Sequence, residues 1–390
     1  MKKLLFVAAV AASMLIAGCS ERQQLKKSLK SALEVAVQHE KAQAEVMLPR
    51  EGEMPKTFEK GELVTANIRW WTSGFFPGSL WLLYEHTGDE ELRQYAEQFT
   101  SRLESLKDYT GTHDLGFMVF CSYGNAYRLT GDEYYKGVIE QAAKSLVTRY
   151  NPTVGCIRSW NTHRKENPEL DFMVIIDNMM NLEMLEWVGG YDEITRSHAY
   201  TTIKNHFRDD YSTYHVVAYN EQTGEVVEKR TAQGFSDDSA WARGQAWGLY
   251  GYTMMYRETG EKRYLEQAEK VAEYLFPLLA ERPVPVWDFD APAEMSAQTD
   301  ASAGAVMAAA YVELSTLTEK PELADKCLAQ AEAILAGLCS PEYLAEEGEI
   351  GGFLLKHGCG FYLKNSEIDN PLTYADYYFL EALHRYNSLK

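Results

Sequence analysis

One recurring phrase constrains the fold of this chain more than any other feature. It reads Tyr84-Glu85-His86-Thr87-Gly88-Asp89-Glu90, then Tyr127-Arg128-Leu129-Thr130-Gly131-Asp132-Glu133, then Tyr256-Arg257-Glu258-Thr259-Gly260-Glu261-Lys262. Weaker echoes are Gly189-Gly190-Tyr191-Asp192-Glu193 and Leu317-Thr318-Glu319-Lys320. Measured at the Gly or its equivalent, the spacings are 43, 59, 70 and 60 residues. Each phrase ends one apolar-periodic run and begins another. After Gly131 the apolar positions include Tyr135, Val138, Ile139, Ala142, Ala143 and Leu146, which is helical spacing. Gly closing a helix supplies a left-handed cap, and an acid just after it suits the next N-terminus. The unit is therefore a helical hairpin, repeated about six times.

The two runs of each unit differ. Those before the phrase are apolar, aromatic and Gly/Ala-rich: Gly116 to Tyr127, Trp241 to Tyr256, Ala303 to Leu314. Those after it are charged on one side. The first kind is expected to be buried all round, the second to form a half-solvated outer layer. Inner helices ringed by outer ones make a closed, all-α toroid; an open solenoid would not need inner helices this apolar. Residues 211–235 break the pattern. Tyr211 to Tyr219 alternates, Asn220 to Gly224 reads as a turn, and Val226-Val227 follows, predicting a small inserted β-hairpin.

The N-terminus reads as an address. Lys2 and Lys3 precede an apolar stretch that ends on Leu15-Ile16-Ala17-Gly18-Cys19. This is the pattern of a secretory signal, and its ending resembles a bacterial lipoprotein signal with Cys19 as the lipidated residue. The expected division is a signal peptide over 1–18, a tether and first helix over 19–55, and the helical domain over 56–390. A periplasm-facing lipid anchor is expected, with membrane contact through that lipid alone. The formal net charge of −19 makes nucleic acid a poor partner. The remaining cysteines, Cys121, Cys156, Cys327, Cys339 and Cys359, are odd in number and unpaired in spacing. They predict neither a disulfide framework nor a zinc site.

Asp177 draws notice first. It sits in Phe172-Met173-Val174-Ile175-Ile176-Asp177-Asn178-Met179-Met180-Asn181, a run of inner-helix type, with Asn181 one turn on and on the same face. A carboxyl in such surroundings is partnered, protonated or functional. Partial burial would raise its pKa, as a general acid requires, while a cap on a neighbouring helix is the plain structural alternative. Asp114, in Thr112-His113-Asp114-Leu115-Gly116-Phe117, alone reads as a helix N-cap. Its neighbours His113 and Gly116 argue for more. A third cluster spans Ser236 to Gly248 and holds Asp237, Asp238, Trp241, Arg243 and Trp247. Arg243 and Trp247 share a helix face, with Gly244 and Gly248 leaving room for something to approach. Arg grips carboxylates and Trp stacks on sugars; a buried ion pair of Arg243 to Asp237 or Asp238 is the structural alternative. The aromatic loop Arg69 to Gly78 contains Trp70 and Trp71. Trp160, His215 and Gln233 are single residues in loop-like stretches.

Taken in order, Trp71-Thr72-Ser73-Gly74-Phe75-Phe76-Pro77-Gly78, His113 to Phe117, Ile176 to Asn181, Ser212 to Val217, Gln233 to Gly248 and Tyr377 to Leu383 resemble the unsaturated glucuronyl hydrolases, glycoside hydrolase family 88. The resemblance implies an (α/α)6 barrel, a six-hairpin toroid. It implies removal of a 4,5-unsaturated uronic acid from the non-reducing end of lyase-generated, glycosaminoglycan-type oligosaccharides. By resemblance Asp177 matches the catalytic acid/base and Asp114 the second essential acid. His113, Trp160, His215, Gln233, Trp241, Arg243, Trp247 and Trp71 match pocket positions. No cofactor and no metal are implied, and the expected assembly is a monomer or weak oligomer. The substrate is an anion and the protein is acidic, so recognition must be local; Lys364 to Ile368 is a candidate lining for the next sugar. An unsaturated rhamnogalacturonyl hydrolase and an oligosaccharide-capture lipoprotein are the rival readings. A sugar epimerase on the same toroid would want a histidine pair, and none is evident.

Overall fold

The structure is a computed structural model that describes residues 2–161 and 172–389, with side chains from Arg22 onward. The expected signal segment and Cys19, the expected lipidation site, therefore fall outside the described side chains.

Six helical hairpins close into a ring. The outer helix α1 (Lys2–Met47) leads in, then α2 (Phe75–Thr87) pairs with α3 (Glu90–Ser101). The segment Gly116–Gly124, wound as a π-helix, continues into α4 (Asn125–Thr130) and pairs with α5 (Glu133–Val147). A 3-10 turn over Ile176–Asn181 continues into α6 (Leu182–Val188), followed by α7 (Asp192–His206). The last three hairpins are α8 (Ala242–Thr259) with α9 (Lys262–Leu279), α10 (Ala301–Leu317) with α11 (Pro321–Leu338), and α12 (Thr373–Asn387) with α1. Inner helix α12 packs on both α10 and α2, which closes the ring.

The recurring phrase folds as its residues dictate. Gly88, Gly131 and Gly260 take φ of +67°, +68° and +67°, each N–H reaching back to a Tyr carbonyl: Tyr84, Tyr127 and Tyr256. The preceding threonine completes the turn. Thr87, Thr130 and Thr259 each donate to a carbonyl one turn back and accept the N–H two residues on. Asp89 and Asp132 then cap the next helix through their side chains. Inner-to-outer connections are thus two or three residues long, while outer-to-inner connections run from Arg102 to Leu115, Thr148 to Ile175, Phe207 to Trp241, Ala280 to Asp300 and Cys339 to Leu372.

Three expectations change. The tether-and-first-helix segment does not stand apart from the barrel: Leu25, Leu29, Ala32, Leu33 and Ala36 of α1 are buried in the common core. The apolar run from Phe172 is not helical from its start. Its first four residues form a strand buried on both faces, because a short apolar run rich in β-branched residues suits a doubly covered strand. The expected hairpin is half of something larger. Two strands, β1 (Glu53–Glu59) and β2 (Glu62–Asn67), form one ribbon, and β3 (Tyr150–Asn151) and β4 (Cys156–Ile157) another. A four-stranded antiparallel sheet follows in the order β5 (Trp160–Asn161), β6 (Phe172–Ile175), β7 (Val216–Tyr219), β8 (Val226–Arg230). The last two are the expected hairpin. A final ribbon, β9 (Gly358–Phe361) and β10 (Ser366–Asn370), lies in the connection before α12. The sheet and this ribbon sit at the end of the ring where the inner helices begin.

Candidate active site

Asp177 lies where β6 gives way to the 3-10 turn, so the change from strand to helix aims its carboxyl into the ring. The side chain is 13% exposed and its Oδ2 is buried without a hydrogen-bond partner. Burial pushes its pKa up to about 7; Arg243 and the indole N–H of Trp247 pull the other way, and the negative charge of Asp114 adds to the rise. Asn181 does not share its face. The Asn181 amide oxygen instead accepts the N–H of Gly116 at 2.8 Å, joining two inner segments. Gly116 is glycine because a Cβ there would stand 2.7 Å from the Asn181 backbone.

Asp114 is not a helix cap. The π segment begins with no side-chain cap, and the Asp114 carboxylate takes the Thr112 hydroxyl at 2.5 Å and faces His113 Nε2 at 3.2 Å. His113 is buried, and burial lowers its pKa despite Asp114. Its Nδ1 has no partner.

His215 immediately precedes β7 and faces Asp177, with Nε2 3.7 Å from Oδ2. Its Nδ1 accepts two backbone N–H groups, from Ala232 at 3.2 Å and Gln233 at 3.1 Å. Two donors on Nδ1 put the ring proton on Nε2. Burial first, then Arg243 and Arg230, hold its pKa well below the usual value, so the ring is a neutral donor aimed at the carboxyl. Trp241 stacks on it at 4.4 Å and Trp160 meets it edge-on at 6.1 Å. Gln233 donates its side-chain amide to the Gly360 carbonyl at 2.9 Å.

The third cluster is arranged differently from its sequence reading. Arg243 pairs with neither Asp237 nor Asp238. It donates to Asp300 at 2.6 Å and to the carbonyls of Cys359 and Gly360, each at 2.7 Å. The guanidinium lies over Trp241 at 4.5 Å and over Tyr374 at 5.3 Å. Most of its donors are therefore committed within the protein. Trp247 is wholly buried between Phe117 and Tyr378 and offers no face to a sugar; its contribution is the unpartnered indole N–H. The room beside Gly244 and Gly248 is filled by Trp241, Thr213 and Phe207. Trp71 is half-buried against Tyr374 at 4.8 Å and Phe117 at 5.5 Å. In β10, Glu367 is 3.5 Å from Lys56, so the stretch from Lys364 to Ile368 is tied to β1.

Sequence reasoning missed Asp300, Tyr374 and Asn178. Asp300 precedes an apolar run and shows a capping signal, which is half of its role: it accepts the Ser302 N–H at 3.0 Å. Asn178 directly follows Asp177 and ties the turn to the Ile157 carbonyl at 2.8 Å. Among the described residues no three His, Cys, Asp or Glu side chains gather as metal ligands.

Three unpartnered atoms meet at Asp177. Its Oδ2, His215 Nε2 and Trp247 Nε1 are buried without hydrogen bonds, the imidazole and the indole N–H both beside that carboxyl. Buried polar groups are normally satisfied, so such a gathering around a raised carboxyl marks a place where a polar ligand completes the bonding.

Comparison with known proteins agrees with this arrangement. The profile of Glycosyl Hydrolase Family 88 matches residues 47–281. An unsaturated glucuronyl hydrolase of Formosa agariphila is 46% identical over 328 residues, 82% of this chain and 80% of that protein. One from Bacillus sp. strain GL1 is 33% identical over 328 residues, 81% of this chain and 85% of its own. The crystal structure of an unsaturated glucuronyl hydrolase specific for heparin superposes with a TM-score of 0.86 at 46% identity, covering 92% of this chain and 97% of that one. With its six-hairpin barrel and this pocket, the chain belongs to glycoside hydrolase family 88.

Proposed function

We propose that the protein is an unsaturated glucuronyl hydrolase in which Asp177 delivers and recovers the proton. The substrate is an oligosaccharide, glycosaminoglycan-type, with a 4,5-unsaturated uronic acid at its non-reducing end. The observation that carries this is the buried carboxyl of Asp177, with an unshared oxygen facing a neutral imidazole N–H at 3.7 Å.

The chemistry follows from the substrate. The C4=C5 bond is conjugated to the uronate carboxylate and bears the ring oxygen, so it is a vinyl ether and protonates at carbon. Protonated Asp177 gives its proton to C4. The cation at C5 is shared with the ring oxygen, and water adds there while the Asp177 carboxylate takes the proton that water sheds. The product is a hemiketal at C5. It opens to a ketone, which exposes a hemiacetal at C1, and that collapses to release the next sugar. One water is consumed, no redox partner is needed, and Asp177 ends as it began. A pKa of about 7 suits a group that must be acid and base in successive steps. His215, donating through Nε2, can steady the carboxylate or a ring substituent. Asp114 and His113 are assigned to ring hydroxyls, and Trp160 to the sugar face beside His215.

Heparin specificity belongs to a relative that is 46% identical. It makes sulfated glycosaminoglycan disaccharides the first substrates to try. Residues 1–19 support export and lipid anchoring on the periplasmic side, a reading that rests on the sequence pattern alone.

The test is loss of the ultraviolet absorbance of the conjugated uronate. Unsaturated disaccharides from heparin, chondroitin and hyaluronan are incubated with the wild type and with Asp177→Asn. Absorbance should fall with the wild type only. If all three persist while the protein binds them, the capture-protein reading replaces this one.

A further inference from the structure

Five planar groups form a column through the pocket wall. Trp71 lies on Tyr374 at 4.8 Å, Arg243 lies between Tyr374 at 5.3 Å and Trp241 at 4.5 Å, and His215 stacks on Trp241 at 4.4 Å. The column ends at Asp177. One residue sets the height of its middle member. Asp300 is wholly buried, and its carboxylate joins three elements. Oδ2 accepts from Arg243 at 2.6 Å; Oδ1 accepts the Ser302 N–H at 3.0 Å, the Ser302 hydroxyl at 2.5 Å and the Cys359 N–H at 3.3 Å. The start of α10, the start of β9 and the guanidinium from α8 therefore meet on one charge.

We propose that Asp300 is a positioning residue for the reaction: through Arg243 it holds the Trp241–His215 stack against Asp177 and balances the positive charge that Arg243 presents to that carboxyl. The inference rests on the reading of Asp177 as the proton donor. A helix cap needs no such burial, since Asp132 caps its helix at an exposed position with one N–H bond. Asp300 does the same job fully buried and spends its other oxygen on Arg243. A buried guanidinium without a counter-charge is costly, and its field would fall on the nearest acid. The charged and titratable groups facing Arg243 are Asp300, Asp177, Tyr374, Cys359 and His215, with Glu367 beyond them already held by Lys56. Those facing Asp177 are Arg243, Asp114 and His215.

The experiment is the pH dependence of kcat for the wild type and three variants on one unsaturated disaccharide. In Asp300→Asn the charge of Arg243 is unbalanced and favours ionised Asp177. The alkaline limb should move to lower pH by about half a unit or more, with kcat reduced about tenfold or more and KM changed less. In Ser302→Ala the hydroxyl bond to Asp300 is lost while the N–H cap and the charge stay, and the limb should remain where the wild type has it. In Arg243→Gln the balance is reversed, and the limb should move to higher pH. An unmoved limb in Asp300→Asn, or an equal movement in Ser302→Ala, would overturn the proposal. If Asp300→Asn does not fold, an Arg243→Gln limb that stays put or moves down would do so. A wild type that leaves the uronate absorbance unchanged would instead remove the reading of Asp177 on which this one stands.

Discussion

His215 presents its Nε2–H to Asp177 at 3.7 Å because its other ring nitrogen is occupied by the amides of Ala232 and Gln233. The tautomer is set by backbone, not by the substrate, so the donor is in place before anything binds.

Asp177→Asn should lower kcat by about 10²–10⁴-fold, with KM for an unsaturated disaccharide changed far less. The wild type should lose kcat/KM as the pH rises above about 7, because the proton that reaches C4 is then absent. Steady-state kinetics between pH 5 and 9 check both; a profile flat through neutrality would remove Asp177 from the proton-transfer step.

Trp247→Phe should move the same limb the opposite way from Asp300→Asn. The indole N–H favours ionised Asp177, so its removal raises the carboxyl pKa further. A shift of about half a pH unit upward is expected, with a stability loss of about 1–3 kcal/mol from the smaller ring in a full core. Kinetics and urea unfolding read the two effects separately.

Gly116→Ala should damage fold and activity together. The added methyl would meet the Asn181 Cα at 2.7 Å and crowd the amide oxygen that accepts the Gly116 N–H. Overpacking of this kind costs about 1–3 kcal/mol, and relief must displace either the Asp114 or the Asp177 side of the pocket. Retained stability and full activity would show that the two inner segments are looser than their contact implies.

His206→Leu should make the protein less sensitive to acid. Neither ring nitrogen of His206 has a partner, and burial first, then the neighbouring His198 and Lys229, lowers its pKa to about 3. The unfolded chain binds a proton there below about pH 6.5, whereas the folded chain does not, so the native state loses stability as pH falls through that window. Between pH 7.5 and 5 the loss attributable to this residue is about 2 kcal/mol. Urea midpoints at both pH values should show the variant gaining on the wild type by that amount at pH 5.

What could be read from the sequence follows the range of the interactions involved. The Thr-Gly-Asp phrase was legible because its hydrogen bonds close within six residues, as at Thr87, Gly88 and Asp89. The placement of Asp114 and Asp177 in one pocket came from the resemblance, since nothing local links residues so far apart. The pairing of Arg243 with Asp300 was not legible. It spans 57 residues, while Asp237 and Asp238 lay closer in sequence and equally suited in charge. Phe172 to Ile175 misleads because four apolar residues carry no period. The strand is decided by β7 beside it. Trp247 reads as a sugar platform because aromatic content is visible in a sequence and direction is not.

The two ends of the barrel carry unequal burdens. Every inner-to-outer turn is two or three residues long and closed by local bonds, whereas the excursions that bring Asp114, Trp160, His215, Gln233 and Asp300 to the pocket all lie at the other end. Insertions, deletions and exchanges of sequence can therefore accumulate on one rim without loosening the hairpins that hold the ring. A lineage built on this plan is free to change the sugars it accepts by rewriting that rim while inheriting the scaffold unaltered.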